Sequence, residues 1–242
     1  MNVDPISNAT RAAFEGEFLR RGARGRDWPA WSQLFTDEAV YTEHVMGQFT
    51  GPAGIAGFLA EAMQPVAPMT FSLEWHIIEG NRLSFWIWNH LPAPHGIPEG
   101  SRDEFCFPNL SFIEHDGAGM WTMEEDLYDP SWAGDTVMAW YTAGGSPRMD
   151  VNPALRPRTP SHPKAPPVGP AREVVADALR AHAPQGSVLR YDVVDGAVGS
   201  AVFDTAERAW AVIVHVDFDG TVTFSHVFTN PAETTNPCLP AG

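Results

Sequence analysis

Residues 26–55 read RDWPAWSQLFTDEAVYTEHVMGQFTGPAGI, and the order of elements in this stretch decides the fold class. Asp27 stands just ahead of Pro29, a pairing that opens helices: the carboxylate accepts free N–H groups of the first turn, and proline has no N–H to waste there. Residues 27–35 therefore read as a short helix. Residues 39–46, AVYTEHVM, then alternate as a strand, with Val40, Thr42 and His44 on one face and Tyr41, Glu43 and Val45 on the other. Gly47 to Gly51 turns the chain. Pro52 opens a helix to about Met63 whose apolar stripe is Ile55, Phe58 and Leu59.

Upstream, residues 7–25 read as a helix carrying Phe14, Phe18 and Leu19, with arginines gathered towards its C-terminal end. Downstream the period changes. Residues 71–79 alternate, Gly80-Asn81 signals a turn, and 83–90 alternate again, which predicts a hairpin. The proline-rich residues 91–100 form a loop. Strands follow at about 103–114 and 120–128, joined at Asp116–Gly119. Asp129-Pro130 caps a helix through Tyr141. Helices and then a strand meander predict an α+β fold, with a curved antiparallel sheet wrapped over helices to leave a cone-shaped hollow between them.

Residues 146–170 hold eight prolines in 25 positions and read as a linker or a strapped arm. Beyond them, 171–182 read as a helix, and 188–194, 197–204, 209–217 and 221–228 as strands, with Asp219-Gly220 as a hairpin turn. The expected division is a first domain at 1–145, the arm at 146–170, a small helix-plus-antiparallel-strand extension at 171–230 and a frayed tail at 231–242. Sixty residues so poor in large side chains are marginal alone, so the extension is expected to lean on the first domain or on a partner subunit.

The chain has 242 residues, 30 of them acidic and 15 basic, for a formal charge of −15. A nucleic-acid partner needs a basic footprint, and an anionic membrane surface needs the same, so neither is expected. Cys106 and Cys238 are the only cysteines, too few for a disulfide scaffold. No run approaches the twenty apolar residues of a membrane span, and the N-terminus is too polar for a signal peptide. A cytoplasmic protein is expected.

With the quoted stretch, the hairpins and the segment HDGAGMWTMEEDLYDP at 115–130, residues 10–142 resemble the NTF2-like superfamily, in particular SnoaL-like cyclases and ketosteroid isomerases. The resemblance implies cofactor-free chemistry on a small molecule, and association as a homodimer. His44 falls where the isomerases place their general-base aspartate. Their tyrosine donor falls at about Leu19 and their second acidic donor near Phe107 or Pro108, so both donors are missing here. Met123, Glu125 and Leu127 match positions that line the family's pocket.

His44 and Glu125 are accordingly the leading acid/base pair, since imidazole titrates near neutrality and a carboxyl group can orient it or act as the acid. Asp126 is a reserve candidate on the opposite face of the same strand. On 83–90, Trp86, Trp88 and His90 share one face and Phe85, Ile87 and Asn89 the other. If the tryptophan face lines the hollow, His90 joins the catalytic set and the site suits an aromatic ring; otherwise Trp86 and Trp88 form a dimer patch. Trp28, Tyr41, Trp86, Trp88, Asn89, Met123 and Tyr128 are the candidate substrate contacts. Asp27 reads as a cap that could reach the cavity mouth, and His76 as solvated beside Glu74. A metal held by His44, His90 and Glu125 is a weaker reading, and no cofactor is expected. The function expected is a lyase, by dehydration or retro-aldol elimination, on a bulky hydroxylated aromatic or polyketide-like molecule. The alternatives are a polyketide cyclase or isomerase, and a non-catalytic binding or oligomerisation module.

Overall fold

The computed structural model describes residues 4–94, 105–149 and 168–231. Most of the arm expected at 146–170, the tail expected at 231–242 beyond Pro231, and residues 95–100 of the expected loop lie outside the described residues. The chain opens with α1 (Pro5–Ala13), whose first turn is capped by the Asp4 carboxylate accepting from the N–H groups of Ile6 and Ser7 at 3.2 Å each. It then widens into two π-helical turns, Phe14–Phe18 and Arg20–Arg24, where a single regular helix is expected. After α2 (Trp28–Ser32), capped by Asp27, come β1 (Phe35–Glu43), β2 (Gly47–Thr50) and α3 (Gly51–Met63). The expected turn at 47–51 is thus largely a second strand. The reversal sits at His44–Met46, where the Glu43 carboxylate accepts from the N–H groups of Val45, at 2.9 Å, and Met46.

The meander is β3 (Thr70–Glu79), β4 (Arg82–His90), β5 (Cys106–His115) and β6 (Trp121–Leu127), followed by α4 (Pro130–Thr142). Six strands form one sheet in the order β2-β1-β6-β5-β4-β3. Two parts of the sheet expectation are corrected. The sheet is mixed rather than antiparallel, because β1 pairs with β6 in parallel. It is also not strongly curled, so there is no curved wrap over the helices. The α+β class stands. The flatter shape has a physical counterpart on the outer face, which packs against a second sheet. Two sheets stacked face to face need matched surfaces, and a strong curl in one would pull their side chains apart.

That second sheet comprises β7 (Val188–Asp195), β8 (Val198–Asp204), β9 (Arg208–Val216) and β10 (Val222–Pro231), an antiparallel meander in the order β10-β9-β8-β7. It follows α5 (Arg172–His182). Val175 and Leu179 of α5 pack on its far side against Ala201, Val212 and Val214. Gly199 permits this approach, since a Cβ there would sit 2.7 Å from the Val175 side chain. Ile77, Trp86, Leu110, Phe112 and Leu127 of the first sheet meet Val193, Val202, Ile213 and Phe228 of the second. The molecule is therefore four layers deep: α1–α3, the six-stranded sheet, the four-stranded sheet and α5. Trp86, 6% exposed, packs inside the chain's own structure and offers no dimer patch. Among the described residues, no helix is long and apolar enough to cross a membrane.

Candidate active site

A cavity of about 240 Å³ lies between the first sheet and the helices. Its apolar wall comes from Phe18, Leu19, Trp28, Trp31, Phe58 and Leu59 of the helical layer and from Phe85 and Ile87 of β4. Gly22 lets the Trp31 ring close this wall, because a Cβ there would lie 2.7 Å from the indole nitrogen. A shallower depression of about 410 Å³ beside Gly25, Arg26 and Gln64 shares Trp28 and Met63 with the cavity. The Arg26 head group is engaged there by the carbonyls of Ala67 at 3.0 Å and Met69 at 3.3 Å.

The polar floor is set by strand register. Glu43 of β1 lies opposite Asp126 of β6, which lies opposite Ser111 of β5, while Tyr41 lies opposite Glu124. Period-2 alternation sends these side chains, with Asn89, Asn109 and Tyr128, to the helix side of the sheet. Asp126 accepts from three donors: the Tyr41 hydroxyl, the Ser111 hydroxyl and Asn109 Nδ2 at 3.0 Å. Burial still pushes its carboxyl above the usual range, against the pull of those donors. Glu124 has no such help. Burial first, and then the neighbouring Asp126, push it far above the usual range, and its Oε2 has no partner among the described residues. Glu43 is also raised by burial, with the Tyr128 hydroxyl and the Met46 N–H opposing. Burial, and then the Glu43 charge, raise Tyr128. Carboxyl groups driven apart by their surroundings can divide the work of base and acid at one pH.

Several sequence candidates lie elsewhere. His44 and Glu125 do come together, with Nε2 2.6 Å from Oε1, but on the outer face, away from the cavity. There Glu125 also accepts from Arg190 Nη1 at 2.6 Å and from the Tyr191 hydroxyl, both on β7. Burial pushes Glu125 up, yet His44, Arg190 and Tyr191 together hold it below the usual range. Trp86 and Trp88 face the same way, with Trp86 against Phe228 and Trp88 against Trp132. Met123 does not line the cavity. His90 Nε2 lies 2.7 Å from the Ser72 hydroxyl, and it is not among the cavity residues either. His76 is buried rather than solvated, beside Phe14 and 3.1 Å from Arg11 Nη1. Of the sequence candidates, the cavity gathers Asp126, Trp28, Tyr41, Asn89 and Tyr128.

Sequence reasoning missed Glu43, Glu124, Asn109 and Ser111. The signal was present for two of them: Glu43 shares a strand face with Tyr41, and Glu124 with Asp126. Among the described residues, no group of three or more histidine, cysteine or acidic side chains is arranged to hold a metal ion.

A model of the SnoaL-like domain matches residues 16–127. Among solved structures, a protein proposed to be a SnoaL-like polyketide cyclase from Jannaschia sp. CCS1 is 15% identical, covering 57% of this chain and 98% of its own, with a TM-score of 0.46. A second protein so proposed, from Shewanella denitrificans OS-217, is 16% identical, covering 54% and 97%, with a TM-score of 0.43. An epoxide hydrolase from M. tuberculosis is 16% identical, covering 57% and 95%, also with a TM-score of 0.43. No curated protein matches the sequence.

Proposed function

Residues 16–127 form a SnoaL-like domain of the NTF2-like superfamily, and from that premise we propose that the chain is a cofactor-independent acid/base catalyst acting on a small, largely apolar hydroxy or carbonyl compound that carries no negative charge. One observation carries this reading. Asp126 is held by three donors beside Glu124, which has none, at the floor of an aromatic-walled cavity. The donors stabilise the anion of Asp126, so of the two it gives up its proton first and serves as base. Glu124, pushed well above the usual carboxyl range by burial, holds its proton more tightly and serves as acid or as a hydrogen-bond donor.

In an elimination, Asp126 takes a proton from carbon while Glu124 protonates the departing hydroxyl, and the products are an alkene and water. At about 240 Å³ the cavity is slightly smaller than ordinary ligand pockets, which suits a compound of one or two rings. Isomerisation or cyclisation is the second reading. It begins with the same proton abstraction, after which the Glu124 O–H would hold the enolate oxygen. The Tyr41 and Tyr128 hydroxyls at the cavity floor favour it.

The test is a panel of hydroxylated and keto ring compounds followed by mass spectrometry, where water loss marks elimination and an unchanged mass with altered retention marks isomerisation. Asp126→Asn is expected to lower turnover of any substrate found by about 10²–10⁴-fold. Equal rates for wild type and variant would remove Asp126 as the base.

A further inference from the structure

We propose that the cavity takes an organic ammonium: the substrate, or a required part of it, is an amine protonated at neutral pH. The proposal deepens the acid/base reading above and rests on it. The charged and titratable groups of the site are Glu43 and Tyr41 from β1 and Glu124, Asp126 and Tyr128 on and just after β6. From β4 and β5 the polar groups are uncharged, and among the described residues no lysine, arginine or histidine lines the cavity. Arg26, outside in the depression, is engaged by two backbone carbonyls. Behind the sheet, Arg190 and His44 are paired with Glu125.

The second observation is the polarity of what is left open. Glu124 Oε2 and Asn109 Oδ1, on side chains 3% and 7% exposed, line the cavity and have no partner among the described residues. Both accept hydrogen bonds once Glu124 is ionised. The unpartnered donor on the lining is the Trp31 indole nitrogen, which is closed off against Gly22. A site short of donors and of positive charge is completed by a group that brings only those, and an ammonium is three donors with one charge and no acceptor. The aromatic walls add the faces on which a cation is favourably placed. An anion would meet unrelieved repulsion here, and a neutral alcohol would supply one donor without the charge.

Binding must also move a proton. A cation beside Glu124 favours its ionised form, so the ammonium displaces the carboxyl proton to solvent, and its own N–H takes over the donor role that Glu124 plays towards an uncharged compound. Affinity for the amine therefore rises with pH through the raised carboxyl range, until the amine itself loses its charge.

Benzylamine, benzyl alcohol and benzoate separate the cases, with binding to the full chain followed by tryptophan fluorescence, to which Trp28 and Trp31 of the cavity wall contribute, and by calorimetry in buffers of different ionisation heat. The expected result is benzylamine at least tenfold tighter than benzyl alcohol at pH 8, tightening from pH 5 to 8 with proton release, and no binding of benzoate. Benzyl alcohol binding as well as or better than benzylamine overturns the ammonium and leaves the acid/base reading standing. Failure of both overturns the ammonium and counts against the cavity as a site at all. Glu124→Gln should shrink the amine's preference over the alcohol at least fivefold. Should that variant not fold, Glu43→Gln tests the same preference, and a preference unchanged in a folded variant overturns the proposal.

Discussion

Glu124 and Glu125 are adjacent in sequence, chemically identical and equally hidden, 3% exposed each, yet they live in opposite electrical surroundings. Glu124 faces the helices with an oxygen left unpartnered, and its proton is held tightly. Glu125 faces the second sheet between a histidine, an arginine and a tyrosine, and is held as the anion. Burial acts on both in the same direction. What differs is the supply of donors and cations, and the strand delivers that difference by turning successive side chains to opposite sides. The inner side is left chemically unfinished, which a reaction requires. On the outer side both oxygens of Glu125 are partnered, which suits a joint between layers.

The sharpest way to break this contrast is to delete each carboxyl in turn. Glu125→Ala removes the carboxylate shared by His44, Arg190 and Tyr191, although Arg190 keeps its pair with Asp204, and is expected to cost about 3 kcal/mol of stability in urea unfolding. Glu124→Gln keeps the shape, removes no ion pair and ends the cost of holding a carboxyl proton above pH 4.5, so at neutral pH it should be neutral or stabilising rather than destabilising. Equal losses from the two substitutions would mean that the two faces do the same work.

Titration of stability comes next in size, and here the two residues have opposite signs. The folded pKa of Glu125 lies below its ordinary value of 4.5, so its contribution is present above that value and is lost as pH falls through the folded pKa. The folded pKa of Glu124 lies well above 4.5, so the folded state binds the extra proton. Its contribution is full below 4.5 and declines as pH rises towards the folded pKa, by up to about 1.4 kcal/mol per pH unit. The pH dependence of stability should therefore flatten below 4.5 in Glu125→Gln and above 4.5 in Glu124→Gln.

The smallest effect sharpens the inner face alone. Tyr41→Phe removes one of the three donors to Asp126. The remaining carboxyl is less well stabilised as an anion, so the acid limb of the pH–rate profile should move up by about half to one pH unit, equivalent to about 1 kcal/mol. Stability should change by a similar amount at most. A limb that stays in place would separate Asp126 from the titration that governs turnover.

Much of the secondary structure was legible in the sequence because it rests on local rules. The Gly80-Asn81 and Asp219-Gly220 turns, the proline-led starts of α3 and α4 and the period of the meander all read directly. The side of the sheet that bears the cavity was not legible. Alternation shows that Glu124 and Asp126 share a face and that Glu125 shares the other with Leu127, but both faces are covered here, so neither looks solvated. Trp86 and Trp88 suggested a pocket because large apolar side chains mark any buried face, including one that meets another sheet. Arg190 and Tyr191, which settle the state of Glu125, lie some 65 residues further on, where no local pattern connects them to it. The β1–β6 pairing was out of reach for the same reason.

That pairing has a temporal consequence. Tyr41 and Glu43 are made early, while Glu124 and Asp126, their neighbours across the parallel ladder, follow more than eighty residues later. During synthesis, β1 and β2 can close as a hairpin but must wait without their neighbour until β6 leaves the ribosome. The floor of the cavity is thus among the last contacts of the six-stranded sheet to form, whereas the second sheet, each strand paired with the next in line, can zip up as it emerges. A nascent chain stalled before β6 holds one of the three cavity carboxyl groups and none of their geometry.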